Sequence, residues 1–185
     1  VLFDIEGVTG DVLPILRLRW AKPVVAGERL AGADPAAVVA RPGSARGDFP
    51  QFLGPNRNAV VADGTRLARD WHGRPPQLVW RQTVGAAWSG FAVVGDRAIT
   101  QEQRGEEETV VCYGLGTGGE LWVHADLARY HTTTAGEGPR CTPTVTGDRV
   151  LTLGATGILN CLDLGTGRRI WSTNIVEANE ARLVG

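Results

Sequence analysis

The side chains of this 185-residue chain that could do chemistry are few and widely spaced. His72, His124 and His131 show no metal-ligand spacing, and neither do Cys112, Cys141 and Cys161. Ser89 lacks the strand–turn–helix setting of an activated nucleophile. The glycine motifs close β patterns instead of opening helices, so neither acyl transfer nor phosphate cradling is supported. The most polar run is Gln101-Glu102-Gln103-Arg104-Gly105-Glu106-Glu107-Glu108. Three consecutive acids attract divalent cations, but a hard-cation site needs oxygens converging from several directions, which a linear run does not supply. The run reads either as a solvated hairpin or as the rim of a binding face. Trp88 and Arg140 remain: an indole can stack a planar ring, and a guanidinium can hold a carboxylate or phosphate.

The elements that must position these residues announce themselves as a repeat. Gly95-Asp96-Arg97-Ala98-Ile99-Thr100, followed by Val111-Cys112-Tyr113-Gly114-Leu115-Gly116-Thr117-Gly118-Gly119-Glu120-Leu121-Trp122, returns as Gly147-Asp148-Arg149-Val150-Leu151-Thr152 and then Asn160-Cys161-Leu162-Asp163-Leu164-Gly165-Thr166-Gly167-Arg168-Arg169-Ile170-Trp171. Cys112 to Cys161 and Trp122 to Trp171 are both 49 positions, whereas the Gly-Asp-Arg turns are 52 apart. The first copy therefore carries three extra residues within 101–109, inside the polar run. A period near fifty with β patterning predicts repeated sheets, and insertions in such repeats cluster on one face that often binds.

Strands are expected at about 91–94, 98–101, 108–113 and 120–123, and again at 142–145, 150–153, 158–162 and 169–172. Four short strands per period, joined by Gly-containing turns, describe a four-stranded antiparallel blade. Residues 78–82 close an earlier, partial repeat. Trp80, Trp122 and Trp171 are then one indole per blade, each able to cover the next blade and donate its N–H to a carbonyl. Cys112 and Cys161 occupy equivalent apolar positions and read as buried, reduced thiols.

Upstream, residues 11–20 alternate as a half-buried strand after a turn at 7–11, within a strand segment at 1–20 that precedes the repeats. Residues 21–47 read as a Pro/Ala/Gly-rich linker, with a short helix at 34–39 capped by Asp34. Residues 48–77 read as ordered loop against the repeat body, and 78–185 as the repeat body itself, with blades at about 91–123 and 142–172. Nineteen basic and twenty acidic residues leave a formal charge of −1, so no electrostatic footprint for nucleic acid exists. No apolar run is long enough to span a bilayer as a helix. The absence of Met and the presence of only two full repeats lead us to expect an N-terminal fragment of a longer chain.

The segment Cys161 to Trp171 resembles the tryptophan-docking motif of quinoprotein-type β-propellers: apolar strand, Asp163, Gly165-Thr166-Gly167, a basic residue and a closing Trp171. Val111 to Trp122 is a weaker copy, with Gly116 and Gly118 in place but Gly114 where the Asp belongs. The stretch Asp48-Phe49-Pro50-Gln51-Phe52-Leu53-Gly54-Pro55-Asn56-Arg57, with Trp88-Ser89-Gly90 and Gly138-Pro139-Arg140, is similar to uncharacterised pyrroloquinoline quinone (PQQ)-like repeat proteins of environmental bacteria. The resemblance implies an all-β propeller of quinoprotein type, an extracytoplasmic location and a membrane anchor preceding the segment. In that architecture the first strand of each blade is nearest the axis, so Trp88 and Arg140, which precede those strands, and Gln101 are hub-facing candidates for cofactor binding; alternatively, Trp88 fills the hub and Arg140 satisfies backbone carbonyls there. Two functions follow. One is a non-catalytic binding or scaffolding propeller, taking a protein or small molecule at its face, comparable to those of outer-membrane assembly lipoproteins. The other is a PQQ- and calcium-dependent alcohol or sugar dehydrogenase whose active site is completed by blades outside this segment. The family's calcium ligands do not map onto this sequence, and its adjacent cysteine pair is absent.

Overall fold

The computed structural model describes residues 3–8, 14–18, 47–61, 64 and 66–182. It opens with a hairpin of β1 (Phe3–Val8) and β2 (Pro14–Leu18), antiparallel, with an irregularity between Ile5 and Gly7. β2 falls within the strand expected at 11–20, whereas β1 is unexpected and takes in Gly7 and Val8 of the expected turn. The linker and the helix expected at 34–39 lie outside the described residues.

The body is two meanders. Blade 1 runs β3 (Ala92–Val94), β4 (Arg97–Arg104), β5 (Glu107–Gly114) and β6 (Glu120–Leu127), paired in chain order. Blade 2 runs β9 (Thr144–Thr146), β10 (Arg149–Leu153), β11 (Ile158–Asp163) and β12 (Arg169–Asn174), also paired in chain order. Between them lies a small hairpin of β7 (His131–Thr132) and β8 (Gly136–Glu137). A single helical turn, α1 (Ile175–Ala178), follows with Asn174 as its N-cap. The protein is all-β, built of four-stranded antiparallel β-propeller blades.

Local chemistry explains the meanders. Gly95 and Gly147 take φ of +58° and +55° in the first turn of each blade, where a side chain would strain the backbone. Both third strands carry an irregularity at one register, Cys112/Tyr113 and Cys161/Leu162, just before the second glycine turn. The repeat thus extends to its bulges.

Strand alternation then decides which side chains meet. Ala92, Ile99, Val110, Cys112 and Trp122 of blade 1 pack with Val145, Val150 and Leu162 of blade 2 in one buried cluster. The joint is completed by Trp122, whose Nε1 donates to Leu164 O at 2.9 Å. Its ring lies against Gly167, where a Cβ would come within 2.6 Å of Cδ2. Trp80 does the same to blade 1: Nε1 donates to Leu115 O at 2.8 Å, and a Cβ on Gly118 would come within 2.6 Å of its Cδ2. Trp171, the third of the series, is 45% exposed and its indole N–H has no acceptor among the described residues.

Two expectations need correction. Residues 78–82, where the β pattern of a partial repeat is expected, form no strand, although Trp80 sits as expected on the turn of blade 1. The polar run is not solvated: Gln101, Glu102, Gln103 and Glu108 are buried. The three extra residues lengthen β4 and β5, so alternate polar side chains point into the contacts on either side of blade 1, and the exposed tip is confined to Gly105, Glu106 and Glu107, with Arg104 half-buried beside it.

Cys112 and Cys161 lie buried in third strands and are free, while Cys141 is free and exposed. Burial pushes the Cys112 thiol up to about 11, so little thiolate exists at neutral pH. A thiol reagent at pH 8 is expected to label Cys141 rapidly, and Cys112 and Cys161 only at the rate of unfolding.

Candidate functional site

An up-and-down meander places successive turns at opposite ends of the blade. The turns at Gly95 and Gly118 therefore share one end, and the β4–β5 turn at Gly105 and the 128–143 connection share the other. Two of the three sequence-predicted candidates, Trp88 and Arg140, collect at that second end. Trp88 is 68% exposed yet fixed twice: its backbone N donates to Pro139 O at 2.9 Å, and its Nε1 to Ala135 O at 2.7 Å. Arg140 Nη2 reaches the same carbonyl at 3.3 Å, and its guanidinium lies 4.9 Å over the Tyr130 ring. Trp88 and Arg140 thus converge on Ala135 O. Gln101 does not join them at the surface. Its buried amide donates to Cys141 O at 2.6 Å and Leu153 O at 3.4 Å, stapling β4 to blade 2. Ser89 Oγ adds a bond to Cys141 O at 2.9 Å.

Beneath this platform lies a polar seam that sequence reasoning missed. Glu108 and Asp126 stand directly opposite each other on β5 and β6 and point at blade 2. Glu108, 6% exposed, accepts the Ala155 N–H with both oxygens at 3.0 and 3.1 Å. Asp126 accepts from Asn160 Nδ2 at 2.6 Å, stands 3.5 Å from His124 Nε2 and 3.7 Å from Arg169 Nη1. Only the strand register brings these groups together; their spacing of 18 positions carries no signal.

The two carboxyls are pushed apart. Burial raises Glu108, the Ala155 N–H opposes this, Asp126 raises it further, and Arg140 pulls back. His124 beside Asp126 holds that carboxyl below the usual range against the effect of burial, helped by Asn160. Divergent carboxyls of this kind can divide acid and base roles, but here both serve a contact between blades.

The consequence for stability follows by linkage. Glu108 binds its proton more tightly when folded, so its contribution improves as pH falls through the raised folded value towards the unfolded one. Asp126 works in reverse: its stabilisation is present above the unfolded value and fades as pH falls through the depressed one. Glu108→Gln is expected to raise the melting midpoint at pH 7 and to flatten its dependence between pH 7 and 5. Asp126→Asn is expected to lower it at pH 7. Melting curves at the two pH values check both signs.

Among the described residues, no three of His, Cys, Asp and Glu are grouped so as to hold a metal ion, and no helix is long and apolar enough to cross a membrane. No protein-family model matches the chain, and no curated protein matches it in sequence. Solved structures do match. The quinohemoprotein alcohol dehydrogenase from Comamonas testosteroni is 19% identical, over 77% of this chain and 22% of that one, with a TM-score of 0.48. BamB from Moraxella catarrhalis is 18% identical, over 58% and 28%, with a TM-score of 0.40. A europium-containing methanol dehydrogenase is 21% identical, over 50% and 15%, with a TM-score of 0.33. The chain spans 15–28% of the length of these structures.

Proposed function

We propose that the chain contributes two blades to a non-catalytic, extracytoplasmic propeller that binds or scaffolds, with a protein segment or small molecule held at the end carrying Trp88 and Arg140. The observation behind this is the combination of exposure and fixation at Trp88. A solvent-facing indole held by its own N–H, on a residue whose backbone N–H is also bonded, beside an Arg stacked on Tyr130, is a pre-ordered anchor of the kind that dominates binding energy at interfaces. Its immobilisation is already complete, so a ligand gains contact area there at small entropic cost. Gln101 is buried and Ser89 is bonded to Cys141 O, and the paired carboxyls are buried between blades.

A second reading is kept because the same two residues suit a planar, acidic cofactor: the Trp88 ring could stack a quinone and Arg140 could meet its carboxylates. PQQ would supply redox chemistry when bound. The described residues do not fit its calcium, since no acidic set converges beside Trp88.

Calorimetric titration of PQQ with calcium into this chain, and then into the full-length protein with every blade present, separates the two. The scaffolding reading expects no saturable heat. Stoichiometric binding that Trp88→Ala abolishes would favour the oxidoreductase.

A further inference from the structure

The segment preceding the blades makes contacts that neither function accounts for. Phe49 exchanges both backbone hydrogen bonds with Val93 of β3, each at 2.8 Å. The very next residue turns to the other blade: Val145 N of β9 donates to Pro50 O at 2.7 Å. Asp48 Oδ1 accepts from Gly95 N at 2.9 Å, fixing the entry to this passage.

β3 and β9 are the terminal strands of their sheets, and these bonds fall on their otherwise free edges. Consecutive Cα atoms are about 3.8 Å apart. Two sheet edges reached by successive residues must therefore converge at that point, which makes this the narrow, axial side of the wedge formed by the blades. An uncovered edge here would leave a row of unpaired backbone groups lining the axis.

Beyond Pro50 the chain folds back on itself. Gly54 N donates to Gln51 O at 2.9 Å, Ala59 N to Leu53 O at 2.9 Å, and Arg57 Nε to Gln51 Oε1 at 3.1 Å. Gly54, at φ +78°, sits under the Phe49 ring, where a Cβ would come within 2.5 Å of Cε2. Leu53, Arg57 and Ala59 also have positive φ, each at a cost of roughly 1–2 kcal/mol that the internal bonds must offset. Thr144 of β9, together with Gln51, Phe52, Leu53 and Arg57, lines a cavity of 180 Å³ between this loop and the strand.

We propose that residues 48–59 are a built-in occupant of the axial space in front of both blades. This strap takes the backbone positions that an axial ligand or another strand would otherwise contact. A ligand of these blades is thereby kept from the backbone edges of β3 and β9, and the strap's own side chains, not those of β3 and β9, face the axial space in front of those edges. The proposal rests on edge hydrogen bonds and stands whichever function is correct.

Amide hydrogen exchange on the full chain tests it. In the unsubstituted protein, the Val93 and Val145 amides are expected to be protected at least 100-fold over unpaired edge amides. Gly54→Val, which drives a side chain into the Phe49 ring, is expected to lower both protections together by tenfold or more while leaving Val111 in β5 unchanged. In a Cys141→Ser background, a thiol placed by Thr144→Cys should then label at least tenfold faster with Gly54→Val than without it. Fast exchange of Val93 and Val145 in the unsubstituted chain would overturn the strap, with no need for the variant to fold. Unchanged protection and labelling in a folded Gly54→Val would overturn it equally.

Discussion

Trp122→Ala is expected to destabilise the protein by about 3–5 kcal/mol, the range for removing a buried indole. Trp122 is 8% exposed, fills the cluster shared by both blades, and carries the hydrogen bond to Leu164 O. Its loss leaves a cavity between the sheets and an orphaned carbonyl in the turn of blade 2. Trp171→Ala is the internal control, because Trp171 sits at the equivalent position, half exposed and without that bond. Its truncation should cost below about 1 kcal/mol, as for surface changes away from special features. Urea unfolding of both variants checks the contrast, and equal costs would mean that the indole at this position stabilises its own blade instead of the joint.

The second large effect is expected on the opposite flank of blade 1. Glu102, 1% exposed, accepts from the Gly85 N–H, from Tyr113 OH at 2.9 Å, and from Arg104 Nε and Nη2 at 3.0 and 2.6 Å. Arg104 also meets Glu120 Oε1 at 2.5 Å. Burial works against the guanidinium's charge, but Glu120 and Glu102 outweigh it and raise its pKa, so Arg104 stays protonated. Glu102→Ala therefore leaves a partly buried cation, a buried phenol and the Gly85 N–H short of an acceptor. Breaking such a network from one side costs about 3–5 kcal/mol. Glu102→Gln, which keeps one acceptor oxygen, should lose less than half as much. A Gln variant as damaged as the Ala variant would show that charge rather than acceptor geometry holds the flank together.

The repeat was legible because two physical requirements recur at fixed spacing. Gly118 and Gly167 need positive φ and room for an indole, and Trp122 and Trp171 follow each of them at one distance. Those constraints survive in the one-dimensional sequence. The burial of Gln101 to Gln103 does not, since polar types in alternation look the same on a solvated hairpin as on a strand with both faces covered. Here blade 2 covers one face, and the 84–86 segment, through the Ala86–Gln103 bridge and the Gly85–Glu102 bond, covers the other. The pairing of Glu108 with Asp126 was hidden for a related reason: it depends on the register of β5 with β6. The strap was harder still, because Phe49 and Val93 are joined only by main-chain bonds, which no side-chain pattern records.

The claim on which the rest depends is that the two sheets are successive propeller blades joined through an indole seated on a glycine turn. A double-mutant cycle between Trp122→Ala and Gly167→Ala tests it most directly. Gly167 has φ +70° and lies against the Trp122 ring. With Trp122 present, Gly167→Ala is expected to cost the left-handed strain, about 1 kcal/mol, plus the clash with the ring. With Trp122 absent, only the strain should remain. The account predicts a coupling of about 1–2 kcal/mol between the two sites, as for residues in contact. Additivity within about 0.5 kcal/mol would show that the indole and the turn do not bear on each other, and would contradict the joint.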